Sequence, residues 1–132
     1  CDLTSCDFSK VNAKNTIFTQ AKLKLNSFIH ANLHQSNFQE AMIEGCNFEE
    51  SNLEQTYFKS AKIKDTTFKS ANAKYIDLSY VICENVYFGG ANCSYANIHK
   101  TEFKDSKIEE ANCFAIKKTD KDLLKAEEFK YE

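Results

Sequence analysis

The sequence predicts an all-β solenoid assembled from five-residue units, and three observations predict it. From Leu3 onward every fifth residue is apolar for 23 consecutive steps, ending at Cys113. Two positions before each of these a mostly small residue recurs, from Cys1, Cys6 and Val11 through Ala21, Asn26, Ser36 and Cys46 to Ala71. Residues 20 apart alternate in charge, as Lys24, Glu44, Lys64, Glu84 and Lys104 do. In a chain that is 42% apolar, so long an unbroken run arises by chance roughly 2 times in a billion.

A period of five belongs to neither common element. An α-helix, with about 3.6 residues per turn, would scatter every fifth residue around its circumference. A flat strand would throw alternate members of the series to opposite faces. Five is satisfied when each unit forms one side of a square coil and then turns a corner, so that its central residue always points inward. The series two positions earlier is then crowded against a corner, where a large side chain does not fit.

The units themselves are Ala31-Asn32-Leu33-His34-Gln35, Ser36-Asn37-Phe38-Gln39-Glu40, Cys46-Asn47-Phe48-Glu49-Glu50 and Ser51-Asn52-Leu53-Glu54-Gln55. They resemble the pentapeptide-repeat family, whose motif is A(D/N)LXX, and the resemblance runs through residues 1–115 without an insertion. It implies a right-handed quadrilateral β-helix with four units per coil, which makes about 5.75 coils from 23 units divided by four. Residues 1–115 are then one β-helical domain and residues 116–132 a C-terminal cap or tail.

The charge column supports the 20-residue coil independently. Stacked coils lie about 4.8 Å apart, so Lys24, Glu44, Lys64, Glu84 and Lys104 form one ladder, with Glu49 below Lys69 and Glu54 below Lys74 on others. Such pairs contribute roughly 0.2–1 kcal/mol each, and less when exposed. A coil one side shorter or longer would not produce the ladder. A further column is all asparagine: Asn12, Asn32, Asn52, Asn72, Asn92 and Asn112. It reads equally as an amide ladder or as the preference of the motif at that position.

Inside the coil the phenylalanines fall into two columns. One is Phe8, Phe28, Phe48, Phe68 and Phe88; the other is Phe18, Phe38 and Phe58, continued by Leu78 and Ile98. Leu3, Leu23, Ile43 and Ile63, and Ala13, Leu33, Leu53 and Ala73, fill the other two sides. Ile76, Val81 and Val86 are bulky for the small inward position and predict a local bulge in the backbone.

The repeats stop after Cys113, because the next position in frame is Lys118 and an unpaired lysine cannot fill a core. From Thr119 the texture becomes helical, with Thr119 as N-cap and Asp120 and Asp122 in the first turn. A short capping α-helix would lay Leu123, Leu124 and Phe129 over the open end of the stack, as solenoids require. The alternative use of the tail is an end-to-end homodimer. Cys1 is already in repeat phase, so the chain reads as a fragment or a trimmed chain, and a processed or exported form stays open. The end at residue 1 needs cover from preceding sequence or from a partner.

The six cysteines occupy inward positions and read as small hydrophobes. There is no CxxC and no cysteine pair beside a histidine at zinc spacing. A reducing compartment, the cytoplasm, follows as the expectation. No apolar run approaches the roughly 20 residues of a membrane span.

Catalytic chemistry finds no foothold. His30, His34 and His99 are scattered, His30 and His34 falling on different sides of the coil. No phosphate-cradling glycine loop is present, and Gly89-Gly90 reads as a relaxed corner. The acids lie outward beside lysines, and a narrow packed solenoid is not expected to hold a substrate cleft. The reading is therefore not an enzyme, with no catalytic, cofactor-binding or metal residues and no cofactor. The chain has 17 basic residues, all lysine, against 19 acidic ones, for a net charge of −2. That interleaved balance argues against nucleic acid as a partner.

What remains is a rigid, non-catalytic scaffold for protein–protein interaction with an unidentified protein partner. The resemblance implies one alternative, since some members of the family protect DNA gyrase or related topoisomerases by imitating duplex DNA. Here Glu40, Glu44, Glu49, Glu50 and Glu54 form an acidic coil, but Lys59, Lys62, Lys64, Lys69 and Lys74 follow directly above it. The candidate partner surface is a girdle of outward apolar residues, Tyr75, Tyr80, Ile82, Tyr87 and Tyr95. The same residues also read as a ladder that stabilises strands.

Overall fold

The computed structural model describes residues 2–118, so the capping helix and the dimerising tail expected from Thr119 onward lie outside the described residues. The chain winds into a four-sided coil that repeats every 20 residues. The first side of each coil is a short strand: β1 (Asp2–Thr4), β2 (Lys22–Lys24), β3 (Met42–Glu44), β4 (Lys62–Lys64), β5 (Ile82–Glu84) and β6 (Glu102–Lys104). These six strands stack in chain order into one parallel sheet. Its register places Lys24 against Glu44, Glu44 against Lys64 and Lys64 against Glu84, as the charge column required. The other sides pair through single bridges. Asp7, Ser27, Asn47, Thr67, Tyr87 and Lys107 mark the second side, the asparagine column the third, and Ile17, Asn37, Tyr57, Asp77, Asn97 and Lys117 the fourth.

The corners explain why five residues suffice. At 20 non-glycine positions spaced by fives between Ser5 and Ala115, and at Gly45 and Gly90, φ lies between 50° and 71°. This left-handed conformation costs a side-chain-bearing residue about 1–3 kcal/mol. The surrounding hydrogen bonds offset that cost. From Ser5 to Asn85 each such residue donates its N–H to the carbonyl 19 positions ahead, as Lys10 does to Ile29 at 2.9 Å and Gln35 to Glu54 at 3.0 Å. The corner at Glu110 departs from the pattern, because Ile108–Glu110 forms a turn of 3₁₀ helix.

The asparagines contribute chiefly within their own units. Asn32, Asn52 and Asn92 accept the N–H two residues on, from His34 at 3.2 Å, Glu54 at 3.1 Å and Ser94 at 3.1 Å. This Asx turn steers the chain into the corner. A cross-coil amide contact also occurs, from Asn52 Nδ2 to Asn32 Oδ1 at 3.4 Å.

The core is the predicted pair of phenylalanine columns. Phe28 and Phe48 stack at 4.8 Å, Phe38 and Phe58 at 4.7 Å. The two columns meet edge to face across the coil, Phe38 against Phe48 at 5.9 Å and 84°, the geometry that aromatic quadrupoles favour. The bulge expected at Ile76, Val81 and Val86 is absent. All three are buried, and the turn bonds from Ile76 to Ala73 and from Val81 to Leu78 are both an ordinary 3.1 Å. The central positions compensate: Ala73, Leu78 and Cys83 stand where other coils carry Leu, Phe or Ile, so volume is exchanged between neighbouring inward positions.

Candidate functional site

The left-handed corners position the outward side chains rigidly. Tyr75 and Tyr95 both sit at the corner that ends the third side, at φ 61° and 60°. One coil apart, their rings stack at 4.8 Å and 13°. Phe114 extends the column, meeting the Tyr95 ring edge-on at 5.7 Å. Lys74 Nζ lies 5.6 Å from the Tyr75 ring centre and 5.8 Å from that of Tyr95, within cation–π range. Tyr75 is 46% and Phe114 65% exposed. The result is an aromatic edge with a cation on its flank.

Tyr80 occupies the next corner, at the end of the fourth side. Its ring meets the buried imidazole of His99 edge-on at 5.3 Å. Lys59 and Lys100 approach its face at 5.8 and 5.9 Å. Ile82 lies on the sheet of the first side, and Tyr87 on the second. Tyr87 folds along the chain over Gly89: a Cβ placed at residue 89 would fall 2.0 Å from the Tyr87 hydroxyl. Gly89 thus makes room for a ring, while Gly90 supplies the corner at φ 71°.

The five girdle residues therefore divide among four sides. The structure brings Tyr75 and Tyr95 together, sets Tyr80 on a neighbouring corner, and separates Ile82 and Tyr87 from both. Sequence reasoning missed Phe114, whose aromatic character and place one coil above Ser94 were the available signal. It also missed Ile17, Leu25, Met42 and Tyr57, all exposed by half or more.

A second feature lies on the first side. Between the two outward rows of the sheet runs an open trough of about 520 Å³, flanked by Lys22, Lys24, Met42, Lys62 and Lys64. No cleft was expected of so narrow a solenoid. It forms because the strands on this side are straight for three residues, leaving parallel walls of side chains.

His30 Nε2 and Glu50 Oε2 pair at 3.0 Å one coil apart, both half exposed. Cys6, Cys46, Cys83, Cys93 and Cys113 are free thiols. Burial pushes Cys83 up to about 12, and pushes Cys93 up to about 12 with a smaller contribution from Cys113 beside it. Burial likewise raises Cys46. Such thiols are not nucleophiles near neutral pH. Among the described residues no group of three or more His, Cys, Asp or Glu side chains is placed to hold a metal ion, and no helix is long and apolar enough to cross a membrane.

Comparison with known proteins agrees with this geometry. A pentapeptide repeat protein from the cyanobacterium Cyanothece 51142, Rfr23, superposes with a TM-score of 0.63 at 19% identity, over 91% of this chain and 88% of that one. A pentapeptide repeat protein of the Arabidopsis thaliana thylakoid lumen superposes with a TM-score of 0.53 at 24% identity, over 79% of this chain and 69% of that one. At such identities the likeness is one of fold. No curated relative matches the sequence. The family profile described as a pentapeptide repeat region matches residues 1–68, just over half of the 132, and the chain belongs to the pentapeptide-repeat family.

Proposed function

We propose that this protein is a non-catalytic rigid scaffold for protein–protein interaction, and that a protein partner seats on the corner formed by Tyr75, Tyr95 and Phe114. One observation carries the reading: a stacked aromatic pair, Tyr75 exposed and Tyr95 partly buried, with a cation at its flank, is held on a corner fixed by inter-coil hydrogen bonds. Aromatic rings presented without conformational freedom lose little entropy on binding, and Tyr is enriched among the residues that dominate interface energies. Buried hydroxyls are engaged locally, Ser51 donating to the Phe48 carbonyl at 2.7 Å, Thr56 to the Leu33 carbonyl at 3.1 Å, Ser79 to Asp77 Oδ1 at 2.6 Å and Ser94 to Asn92 Oδ1 at 2.7 Å. That supports a packed scaffold over a reaction centre. Buried free thiols support a reducing compartment such as the cytoplasm.

The charge arrangement counts against mimicry of duplex DNA. A mimic needs continuous acidic columns, whereas Glu44 and Glu84 alternate in register with lysines. A gyrase supercoiling assay at micromolar protein tests that alternative, and the scaffold reading expects no effect. The primary test is affinity capture from cells with the natural chain and with a Tyr75→Ser/Tyr95→Ser variant. A partner lost by the variant at an unchanged melting temperature supports the corner as the site. A partner kept by the variant overturns it.

A further inference from the structure

The trough on the first side is independent of the aromatic corner and has its own chemistry. Its two walls are the outward rows of the sheet. One reads Lys22, Met42, Lys62 and Ile82; the other reads Lys24, Glu44, Lys64 and Glu84. All eight side chains are exposed. Lysine pairs therefore straddle the trough at β2 and again at β4, with one apolar and one acidic residue between them at β3. Among the described residues Lys22, Lys24, Lys62 and Lys64 form no ion pair within 4 Å. In coils two to four this stretch carries four ammonium groups against the single carboxylate of Glu44.

The spacing selects a ligand. Two coils separate the lysine pairs by about 9.6 Å. An extended β-strand peptide cannot match this, because residues three apart point to opposite faces. A polyproline II segment matches it: with three residues per turn and a rise of about 3.1 Å, side chains three apart share one face at about 9.3 Å. The two residues between them lean to either wall, one over Met42 and one toward Glu44.

We propose that the trough binds an acidic polyproline II segment of a partner protein, with carboxylates at positions i and i+3. One carboxylate sits between Lys22 and Lys24, the other between Lys62 and Lys64. The intervening residues are an apolar one on Met42 and a hydrogen-bond donor facing Glu44. Glu44 repels a third carboxylate and so discriminates against uniformly acidic chains.

The test is an NMR titration of the folded protein with two peptides of identical composition. One is acetyl-Gly-Glu-Pro-Gln-Glu-Pro-amide; the other, acetyl-Gly-Pro-Glu-Glu-Gln-Pro-amide, has adjacent acids. The spaced peptide is expected to bind at least tenfold tighter, with shift changes confined to residues 22–24, 42–44 and 62–64. Lys22→Gln/Lys62→Gln is expected to weaken it about tenfold. Lys10→Gln/Lys69→Gln, on the second side, is expected to leave it unchanged and controls for net charge. Equal affinity for the two peptides would overturn the proposal, as would equal weakening by both double variants. So would tighter binding of a single-stranded oligonucleotide, or a concentration-dependent dimer that occupies the same residues.

Discussion

Asn26 closes a corner that belongs to Cys6 in the coil below. Its side-chain Oδ1 accepts the Cys6 N–H at 2.8 Å, and its Nδ2 donates to the Leu3 carbonyl at 2.9 Å. At the other three corners that N–H and that carbonyl bond to each other, as Ala31 does to Phe28 and Ser36 to Leu33, both at 3.0 Å. After the strand of the first side the two groups do not bond to each other, and a polar side chain from the next coil meets both. Thr66 accepts the Cys46 N–H at 3.4 Å and Ser106 the Val86 N–H at 2.8 Å, each hydroxyl donating to a carbonyl of its own coil, Lys64 and Lys104. This is why Asn26 and Thr66 are buried polar residues in an apolar core.

Replacing Asn26 by Ala leaves a donor and an acceptor unmet, which costs about 1–3 kcal/mol. Asn26→Leu is expected to cost as much despite its greater apolar volume. Urea denaturation checks both, through a lower midpoint at an unchanged slope. A stabilised Leu variant would show that the corner finds another partner.

Phe48 sits at the middle of its column, stacked on Phe28 at 4.8 Å and Phe68 at 5.0 Å. Phe48→Ala is expected to cost about 3–5 kcal/mol, read from the same denaturation curves. A loss below about 1 kcal/mol, well under that range, would contradict the stacking register.

The thiols predict a pH profile. An ordinary thiol titrates near 9.0, while burial pushes Cys83 and Cys93 up to about 12. Below pH 9 both states are protonated and the full stability is present. Between 9 and 12 the unfolded thiols ionise while the folded ones keep their protons, so stability falls as pH rises through that window. Cys83→Ala/Cys93→Ala is expected to flatten this slope relative to the natural chain. Alkylation of the folded protein at pH 8 should modify Cys6 and Cys113, which are partly exposed, before Cys46, Cys83 and Cys93. Prompt labelling of Cys83 would contradict its burial.

The architecture was legible in the sequence because one constraint repeats: an inward residue every fifth position, with charges alternating every 20. Phe28, Phe48 and Phe68 stack where the period put them. What was not legible depends on the backbone. Nothing in the residue types shows that one corner in four lacks its turn bond, so Asn26 read merely as a small inward residue. The bulge predicted from Ile76, Val81 and Val86 ignored the shrinkage at Ala73, Leu78 and Cys83, because each column was read alone. Tyr75, Tyr95 and Phe114 converge because residues 20 apart stack and Phe114 reaches back to Tyr95, whereas Ile82 and Tyr87, although near in sequence, turn onto other sides. The trough required knowing that the first side alone runs straight.

The scaffold account stands or falls on where a partner touches the rod. A photoreactive benzoylphenylalanine placed singly at Tyr95 on the aromatic corner, and at Ile17 on the fourth side, measures this in cells. The account predicts a discrete higher-mass adduct on irradiation of the Tyr95 variant and none from the Ile17 variant, although Ile17 is 77% exposed. Adducts of equal yield at both positions, or adducts at Ile17 alone, would contradict it.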